Sequence, residues 1–284
     1  MRIETLITST IDLHIHTTAS DGNVDPEDML EEVIKAGITT FSFTDHESID
    51  GMDSVADLCP HRDLALIPGV ELSTFFQGRE IHLLGYWFNV TKPGFRSWIK
   101  ELQSRRNQTM IQIADNLCNL GFKLDKDPIY AAANSGSVGK NHIIKALFKA
   151  GYLHSKEEAI DVLRRYLGPK GLAYVDFNFN PFEEAVQSIC ESGGVPILAH
   201  PGLIRDDKMV LDLLDAAPVG LEVYYYYFGP NRQELIAHYE QMGIERGLVL
   251  TGGSDYHGHY SPDVKLGKVF IPSKIVGELE RHRK

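Results

Sequence analysis

The feature that most constrains the fold is His14-Ile15-His16, a polar pair that ends the short apolar segment Ile11-Asp12-Leu13. Residues two apart on a β-strand project from the same face, so a strand here would direct both imidazoles to one point. Converging imidazoles suit a divalent metal ion. Similar side chains follow or lie within later apolar segments, at Asp45-His46, Glu71, His82, His200 and Asp255-Tyr256-His257. The chain therefore repeats one pattern, an apolar strand that delivers a possible metal ligand.

Seven short apolar segments are predicted to be strands, and helix-like patterns separate several of them. In the pattern at 26–36, Pro26 suits a first helical turn and Gly37 suits the position after the helix end. A similar pattern covers 181–191. Repetition of strand, helix and strand favours parallel pairing in a closed or nearly closed barrel, with the site at the carboxyl ends of the strands. The predicted strands are 10–13, 39–44, 64–68, 81–88, 196–199, 220–224 and 248–251.

The alternation of predicted strands and helices stops in the middle of the chain. Residues 95–120 have the apolar spacing of a long helix, and 138–150 and 156–167 resemble further helices. No strand pattern is apparent across this stretch. We therefore expect residues 91–171 to form a helical insertion that covers the active-site cleft, and residues 1–90 and 172–284 to form the barrel.

Composition excludes several classes of protein. The net charge of −11 argues against a broad basic surface, so we expect no long duplex nucleic acid as a partner. The sequence contains no run of about 18 apolar residues, so we expect no membrane span. Met1-Arg2-Ile3-Glu4 does not resemble a secretory leader, and three cysteines without Cys-x-x-Cys spacing suit a reducing cytoplasm. The oligomeric state stays open.

Taken together, the motifs resemble those of the PHP superfamily, named for polymerase and histidinol phosphatase. They follow the family's order across nearly the whole chain. The resemblance implies a distorted (β/α)7 barrel with a site for three metal ions. The matching motifs are His14-x-His16, Ser20-Asp21-Gly22, Thr44-Asp45-His46, Gly69-Val70-Glu71, Ala199-His200-Pro201 and Ser254-Asp255-x-His257.

Carried over by motif, the resemblance implies three ligand groups. The first is His14, His16, Glu71 and Asp255; the second is Glu71, His82 and His200; the third is Asp21, His46 and His257. Nitrogen and oxygen donors suit Mn²⁺, Zn²⁺ or Fe²⁺ better than Mg²⁺ or Ca²⁺. Three such ions against three carboxylates leave a charge of about +3, which favours an anionic substrate. Asp12 and Asp45 are candidates for orienting the imidazoles.

Within the superfamily, the chain resembles the stand-alone nucleoside 3′,5′-bisphosphate phosphatases and the 5′-3′ exoribonucleases of short RNA. Metal-activated hydroxide would then hydrolyse a phosphate monoester or terminal phosphodiester of a small nucleotide or short 5′-phosphorylated oligonucleotide. The expected catalytic residues are His14, His16, Glu71, Asp255 and His257. The substrate-binding candidates are Lys140, Asn141, Arg105 and His259. The resemblance implies Arg-Pro at 140–141 and a histidine at Tyr225, so the chain departs from the pattern there.

Three alternatives remain. Histidinol-phosphate phosphatases share the metal motifs. A non-catalytic metal-binding scaffold would resemble the PHP domains that stabilise some polymerases. Hydrolysis of a carbon–nitrogen bond is a third alternative because amidohydrolases use similar barrels, although the bridging lysine on which they commonly depend is not apparent here.

Overall fold

The structure, a computed structural model, describes residues 10–260 and 263–283, apart from the side chain of Tyr260. The start of the chain, which we expect not to be a leader, lies outside them. The strands are β1 Ile11–Ile15, β2 Thr40–Phe43, β3 Ala65–Leu66, β4 Gly69–Phe76, β5 Arg79–Tyr86, β6 Val195–Leu198, β7 Gly220–Tyr225 and β8 Leu250–Gly253. The α-helices are α1 Pro26–Lys35, α2 Asp50–Val55, α3 Phe95–Asn119, α4 Asp127–Ser135, α5 Lys140–Lys149, α6 Lys156–Val162, α7 Phe182–Glu191, α8 Asp207–Ala216, α9 Arg232–Glu245 and α10 Lys274–Arg281.

The strands form two sheets, one in the order β1-β2-β3 and one in the order β4-β5-β6-β7-β8. Pairing is parallel in the first sheet and between β6, β7 and β8. The expectation of parallel pairing is wrong for β4 with β5 and for β5 with β6, which are antiparallel. Gln77 and Gly78 both have positive φ, 46° and 80°, and make the tight turn that returns the chain as a hairpin. Strand β4 was not among the predicted strands, which have 64–68 followed only by 81–88 in this part of the chain.

Single bridges join the two sheets without closing them. Ile15 pairs with Tyr256, and His46 pairs with Glu71. The fold is thus mixed α/β, but the hydrogen bonds of the described residues do not make one closed sheet, and a (β/α)7 barrel is not confirmed. The bridges bring the carboxyl ends of β1, β2 and β8 beside the first half of β4.

Apolar side chains form three separate cores, the largest of which packs helices α7, α8 and α10 against the second sheet. Met29, Leu30 and Val33 of α1 pack towards the first sheet. Helices α3 to α6 share a cluster of their own, built around Met110, Ile113, Leu117, Ile143 and Leu147. None of the strands given above lies between β5 and β6 in the described residues, which agrees with the absence of a strand pattern from this part of the sequence. Helix α4 was not expected from the sequence.

In the described part of the chain, none of the helices combines the length and apolar character that crossing a bilayer requires.

Candidate metal centre

The structure brings all nine expected ligands together, but the expectation that they lie at the carboxyl ends of strands is wrong for Glu71 and His82, which lie inside β4 and β5. Strand β1 carries His14 and directs the chain to His16, while β4 carries Glu71 and β5 carries His82. The remaining five follow strands or lie in loops beside them: Asp21, His46, His200, Asp255 and His257. Six of the nine are buried, and His82, Asp255 and His257 are half-buried.

Glu71 lies at the centre of the cluster. Its Oε1 is 3.0 Å from His82 Nδ1 and 3.1 Å from His200 Nε2. Its Oε2 is 3.3 Å from His14 Nε2, 3.1 Å from His16 Nε2 and 3.4 Å from His46 Nδ1. One buried carboxylate therefore contacts five imidazoles, with a different set on each oxygen. Such a carboxylate has the geometry to bridge neighbouring cations.

Compact groups of donor atoms agree largely with the three ligand groups that the resemblance implies. His14, His16, Glu71 and Asp255 form one group, and His16, Asp21, His46 and His257 form another. The third is His46, Glu71 and His82. It contains His46 where the resemblance implies His200, although His200 also contacts Glu71. Donor atoms within each group lie within 4.8 Å of one another.

The donor set fits divalent metal ions. Nε2 of His14 and Nε2 of His16 lie 3.1 Å apart, and both approach the same carboxylate oxygen of Asp255. Asp21 Oδ1 and His46 Nδ1 are buried and lack hydrogen bonds of good geometry among the described residues, although His257 Nε2 lies 3.2 Å from the first and Glu71 Oε2 lies 3.4 Å from the second. Buried polar atoms without such partners are costly unless a cation or water satisfies them. Imidazole and carboxylate donors are those that Mn²⁺, Zn²⁺ and Fe²⁺ use.

Charged groups within the cluster shift the pKa values of its imidazoles and carboxylates. Burial would lower the pKa of His16, but hydrogen bonds with Asp255 and Glu71 and their charges raise it to about 10. Burial also opposes the charge of His82, yet Glu71 and Glu80 raise its pKa to about 9. Burial would raise the pKa of Glu71, but the surrounding imidazoles hold it well below its usual range. The carboxylates thus hold protons on His16 and His82, and binding of a metal ion to these rings must release them.

A residue that the sequence analysis missed fixes the orientation of His14. Glu222 of β7 is fully buried, and its Oε1 lies 2.8 Å from His14 Nδ1. Its Oε2 accepts a hydrogen bond of 2.8 Å from the backbone of His200. A carboxylate on the far nitrogen of an imidazole sets the tautomer of a metal ligand. The sequence offered one signal for this role, because Glu222 is the single charged residue in the otherwise apolar predicted strand 220–224.

Asp12 and Asp45 do not take the role expected for them. Asp12 accepts hydrogen bonds from backbone N–H groups, the shortest being 2.8 Å from Ser254. Asp45 accepts from the backbone and hydroxyl of Thr17 and from the hydroxyl of Ser20. Both therefore fasten the loops that carry the ligands, and the carboxylates that contact imidazoles from outside the cluster are Glu222, beside His14, and Glu80, beside His82.

The four substrate-binding candidates occupy different surroundings. Lys140 Nζ lies 2.6 Å from Glu80 Oε2, and Asn141 is half-buried beside it in the first turn of α5. Arg105 lies on the exposed face of α3 and pairs with Glu101.

His259 is also displaced from the cluster: its side chain is 71% exposed and lies 3.4 Å from Glu32. The contact of Lys140 leads to an expected ligand, through Glu80 Oε1, which is 3.3 Å from His82 Nε2.

Arg106 is buried, whereas the adjacent Arg105 is exposed. Its Nη1 lies 3.2 Å from Glu47 Oε2 and donates to Ser73, while its Nε donates to the carbonyl of Val138 at 2.8 Å. Arg106 therefore ties α3 and the start of α5 to the loop beside His46. The helical spacing of the sequence did not distinguish Arg106 from Arg105. Which of two adjacent helix positions is buried depends on the segment that packs against that side of the helix.

Comparisons with known proteins identify the family of this chain. A family model described as "PHP domain" matches residues 12–178. The 5′-3′ exoribonuclease Rnm of Escherichia coli (strain K12) is 30% identical over 280 residues, covering 94% of this chain and 91% of the relative. The phosphoribosyl 1,2-cyclic phosphate 1,2-diphosphodiesterase of Eggerthella lenta is 27% identical, with 88% and 94% covered.

A third relative and a solved structure extend the comparison. The 3′,5′-nucleoside bisphosphate phosphatase of Chromobacterium violaceum is 25% identical, and 87% of each chain is covered. A solved chain from Bifidobacterium adolescentis superposes with a TM-score of 0.82 at 23% identity, with 96% of each chain covered, and shares the fold.

The cluster and the relatives together define a metal-dependent phosphoesterase, a hydrolase of phosphoric esters. This chain belongs to the PHP domain family. The relatives fit the phosphoesterase hypothesis and not the alternative of a non-catalytic scaffold.

Proposed function

We propose that this protein hydrolyses a phosphate monoester or terminal phosphodiester of a small nucleotide, such as a nucleoside 3′,5′-bisphosphate, or of a short 5′-phosphorylated oligonucleotide. The observation that carries the proposal is Glu71, whose two oxygens contact five imidazoles. The names of the Escherichia coli and Chromobacterium violaceum relatives support the substrate class.

The nine clustered side chains are proposed to hold three divalent ions, Mn²⁺, Zn²⁺ or Fe²⁺. When bound, such ions activate water and neutralise phosphoryl oxygens. The residues contribute position: Glu71 belongs to two of the three groups, Glu222 fixes the ring of His14, and the imidazole of His257 lies 3.2 Å from Asp21. His14, His16, Glu71, Asp255 and His257 are the proposed catalytic residues.

We propose that residues 91–171 form an insertion that covers the cleft between the strand ends. Three contacts tie this segment to the ligand loops: Arg106 with Glu47, Lys140 with Glu80, and the backbone of Ser137 with that of Ala19. The barrel, formed by 1–90 and 172–284, is proposed to have a distorted (β/α)7 wall, which the two single bridges between the sheets support.

Lys140 and Asn141 are proposed to receive a second phosphate at the start of α5, because backbone N–H groups there favour an anion. Lys140 would share its charge between that phosphate and Glu80. Arg105 and His259, both exposed, would reach only a substrate that extends beyond the cluster. We also place the protein in the cytoplasm; the buried thiol of Cys59, which donates to the carbonyl of Val55, suits a reducing compartment.

The test is a phosphate-release assay with nucleoside 3′,5′-bisphosphates, 5′-phosphorylated dinucleotides and histidinol phosphate, using protein loaded with Mn²⁺ and chelator-treated protein. We expect release from the nucleotides only with metal, and its loss in His14→Ala and Asp255→Ala. His238→Ala is the matched control, since His238 is exposed and pairs with Asp207 away from the cluster. Full activity in both ligand variants, or turnover of histidinol phosphate alone, would contradict the proposal.

A further inference from the structure

Asp255 is held from two sides. Its Oδ1 lies 3.1 Å from His16 Nε2 and 3.3 Å from His14 Nε2, inside the first ligand group. Its Oδ2 accepts a hydrogen bond of 2.7 Å from the hydroxyl of Tyr225. The backbone N–H of Asp255 also donates to the carbonyl of His14 at 2.8 Å. The two carboxylate oxygens therefore have different partners.

The side chain of an aspartate does not maintain such a difference unaided. Rotation about its last torsion is broad and roughly two-fold, so that either oxygen can face a ligand. A hydroxyl donor on one oxygen selects one rotation. Because Tyr225 is buried, little water is available to replace that donor.

The ring of Tyr225 contacts a second expected ligand. Its centroid lies 5.3 Å from that of the His200 imidazole, and 4.9 Å from that of Tyr227. The aromatic packing fixes the direction in which the hydroxyl points. Tyr225, the last residue of β7, thus contacts both His200, which follows β6, and Asp255, which follows β8.

We propose that Tyr225 is a positioning residue of the metal centre, which keeps Asp255 as a ligand through Oδ1 alone. The inference rests on the proposed metal site and goes beyond it, since Tyr225 stands where the motif pattern implies a histidine. Tyr225 acts through Asp255 and need not touch metal or substrate.

The test compares two tyrosines of the same strand. Tyr225→Phe removes the hydroxyl bound to Asp255. Tyr224→Phe is the matched control, because Tyr224 is also buried but donates to Glu240, outside the cluster. Both metal-free proteins are titrated calorimetrically with Mn²⁺ alone, and their melting temperatures are recorded.

We expect Tyr225→Phe to weaken binding of at least one Mn²⁺ by about 10–100-fold, as loss of a residue that orients a ligand does elsewhere. Tyr224→Phe should bind Mn²⁺ as the unmodified protein does. If Tyr225 were merely structural, its variant would melt earlier while its Mn²⁺ affinity stayed unchanged, which would overturn the inference. Equal losses in both variants would also overturn it. An unmodified protein that binds neither Mn²⁺ nor, in a repeat of the titration, Zn²⁺ would instead remove the metal site itself, and the inference with it.

Discussion

Lys140 Nζ lies 2.6 Å from Glu80 Oε2, which places the first residue of α5 against a strand that carries an expected metal ligand. Glu80 is almost fully buried, and its other oxygen faces His82. Burial would raise the pKa of Glu80, but the charge of Lys140 and the contact with His82 hold it well below its usual range. The ion pair therefore connects the helical segment to the metal centre.

Lys140→Met should lower the free energy of unfolding of the metal-free protein by about 1–3 kcal/mol, because it leaves the buried carboxylate of Glu80 unpaired. The double variant Lys140→Met/Glu80→Gln should recover most of that loss, since no unpaired charge remains. Urea denaturation of the two single variants and the double variant completes the cycle. Strictly additive losses would show that the pair does not couple.

Arg106→Met should cost more, about 3–5 kcal/mol, because the fully buried Glu47 loses its cationic partner. Arg105→Met makes the same change one position earlier on α3, where the side chain is exposed and pairs only with Glu101. It should change stability by about 0.5 kcal/mol or less. Denaturation curves of both variants test this, and similar losses would contradict the tethering role of Arg106.

Gly139→Ala should disturb Asp21. A Cβ at this position would lie 2.0 Å from Asp21 Oδ2, and the buried aspartate has little room to move. We expect the number of Mn²⁺ ions bound per chain, measured by elemental analysis, to fall by one.

Gly277→Ala is the control for that substitution, since an added Cβ in α10 meets no described atom within 4 Å. Its metal content should not change. An unaltered metal content in Gly139→Ala would argue against Asp21 as a ligand.

His142 should make stability depend on pH. Its Nδ1 accepts a hydrogen bond from the backbone N–H of Gly139, which requires a neutral ring at that nitrogen. Burial lowers the pKa of His142 below its ordinary 6.5, against the opposing charge of Asp21. The unfolded chain therefore takes up the proton first as the pH falls. The stabilisation is complete above pH 6.5 and is lost as the pH drops towards the folded pKa, by at most about 1.4 kcal/mol per pH unit.

His142→Asn keeps an acceptor for Gly139 but does not titrate. In metal-free protein, the variant should show a shallower fall in unfolding free energy between about pH 6.5 and pH 5 than the unmodified chain. Denaturant titrations at several pH values measure this difference. Parallel curves would exclude His142 as the source.

The spacing of His14 and His16, and the polar residues in or after other apolar segments, indicated a metal centre, and the resemblance to the PHP superfamily implied the nine side chains that cluster. Strand geometry is local, so a two-residue spacing already fixes a common face. The same local reasoning predicted the long helix α3. It failed at β4, because a tight hairpin turn at Gln77-Gly78 reverses the chain where parallel pairing was expected.

The partners of the ligands were decided only by the tertiary structure. Glu222 reaches His14 across 208 residues of sequence, and Tyr225 reaches Asp255 across 30. Such pairs depend on the register between strands and on which side of a helix is covered. The sequence by itself determined which residue types meet at the strand ends. The packing of distant segments decided which oxygen or nitrogen of each faces its neighbour, because a hydrogen bond is set by ångström-scale positions that no local pattern encodes.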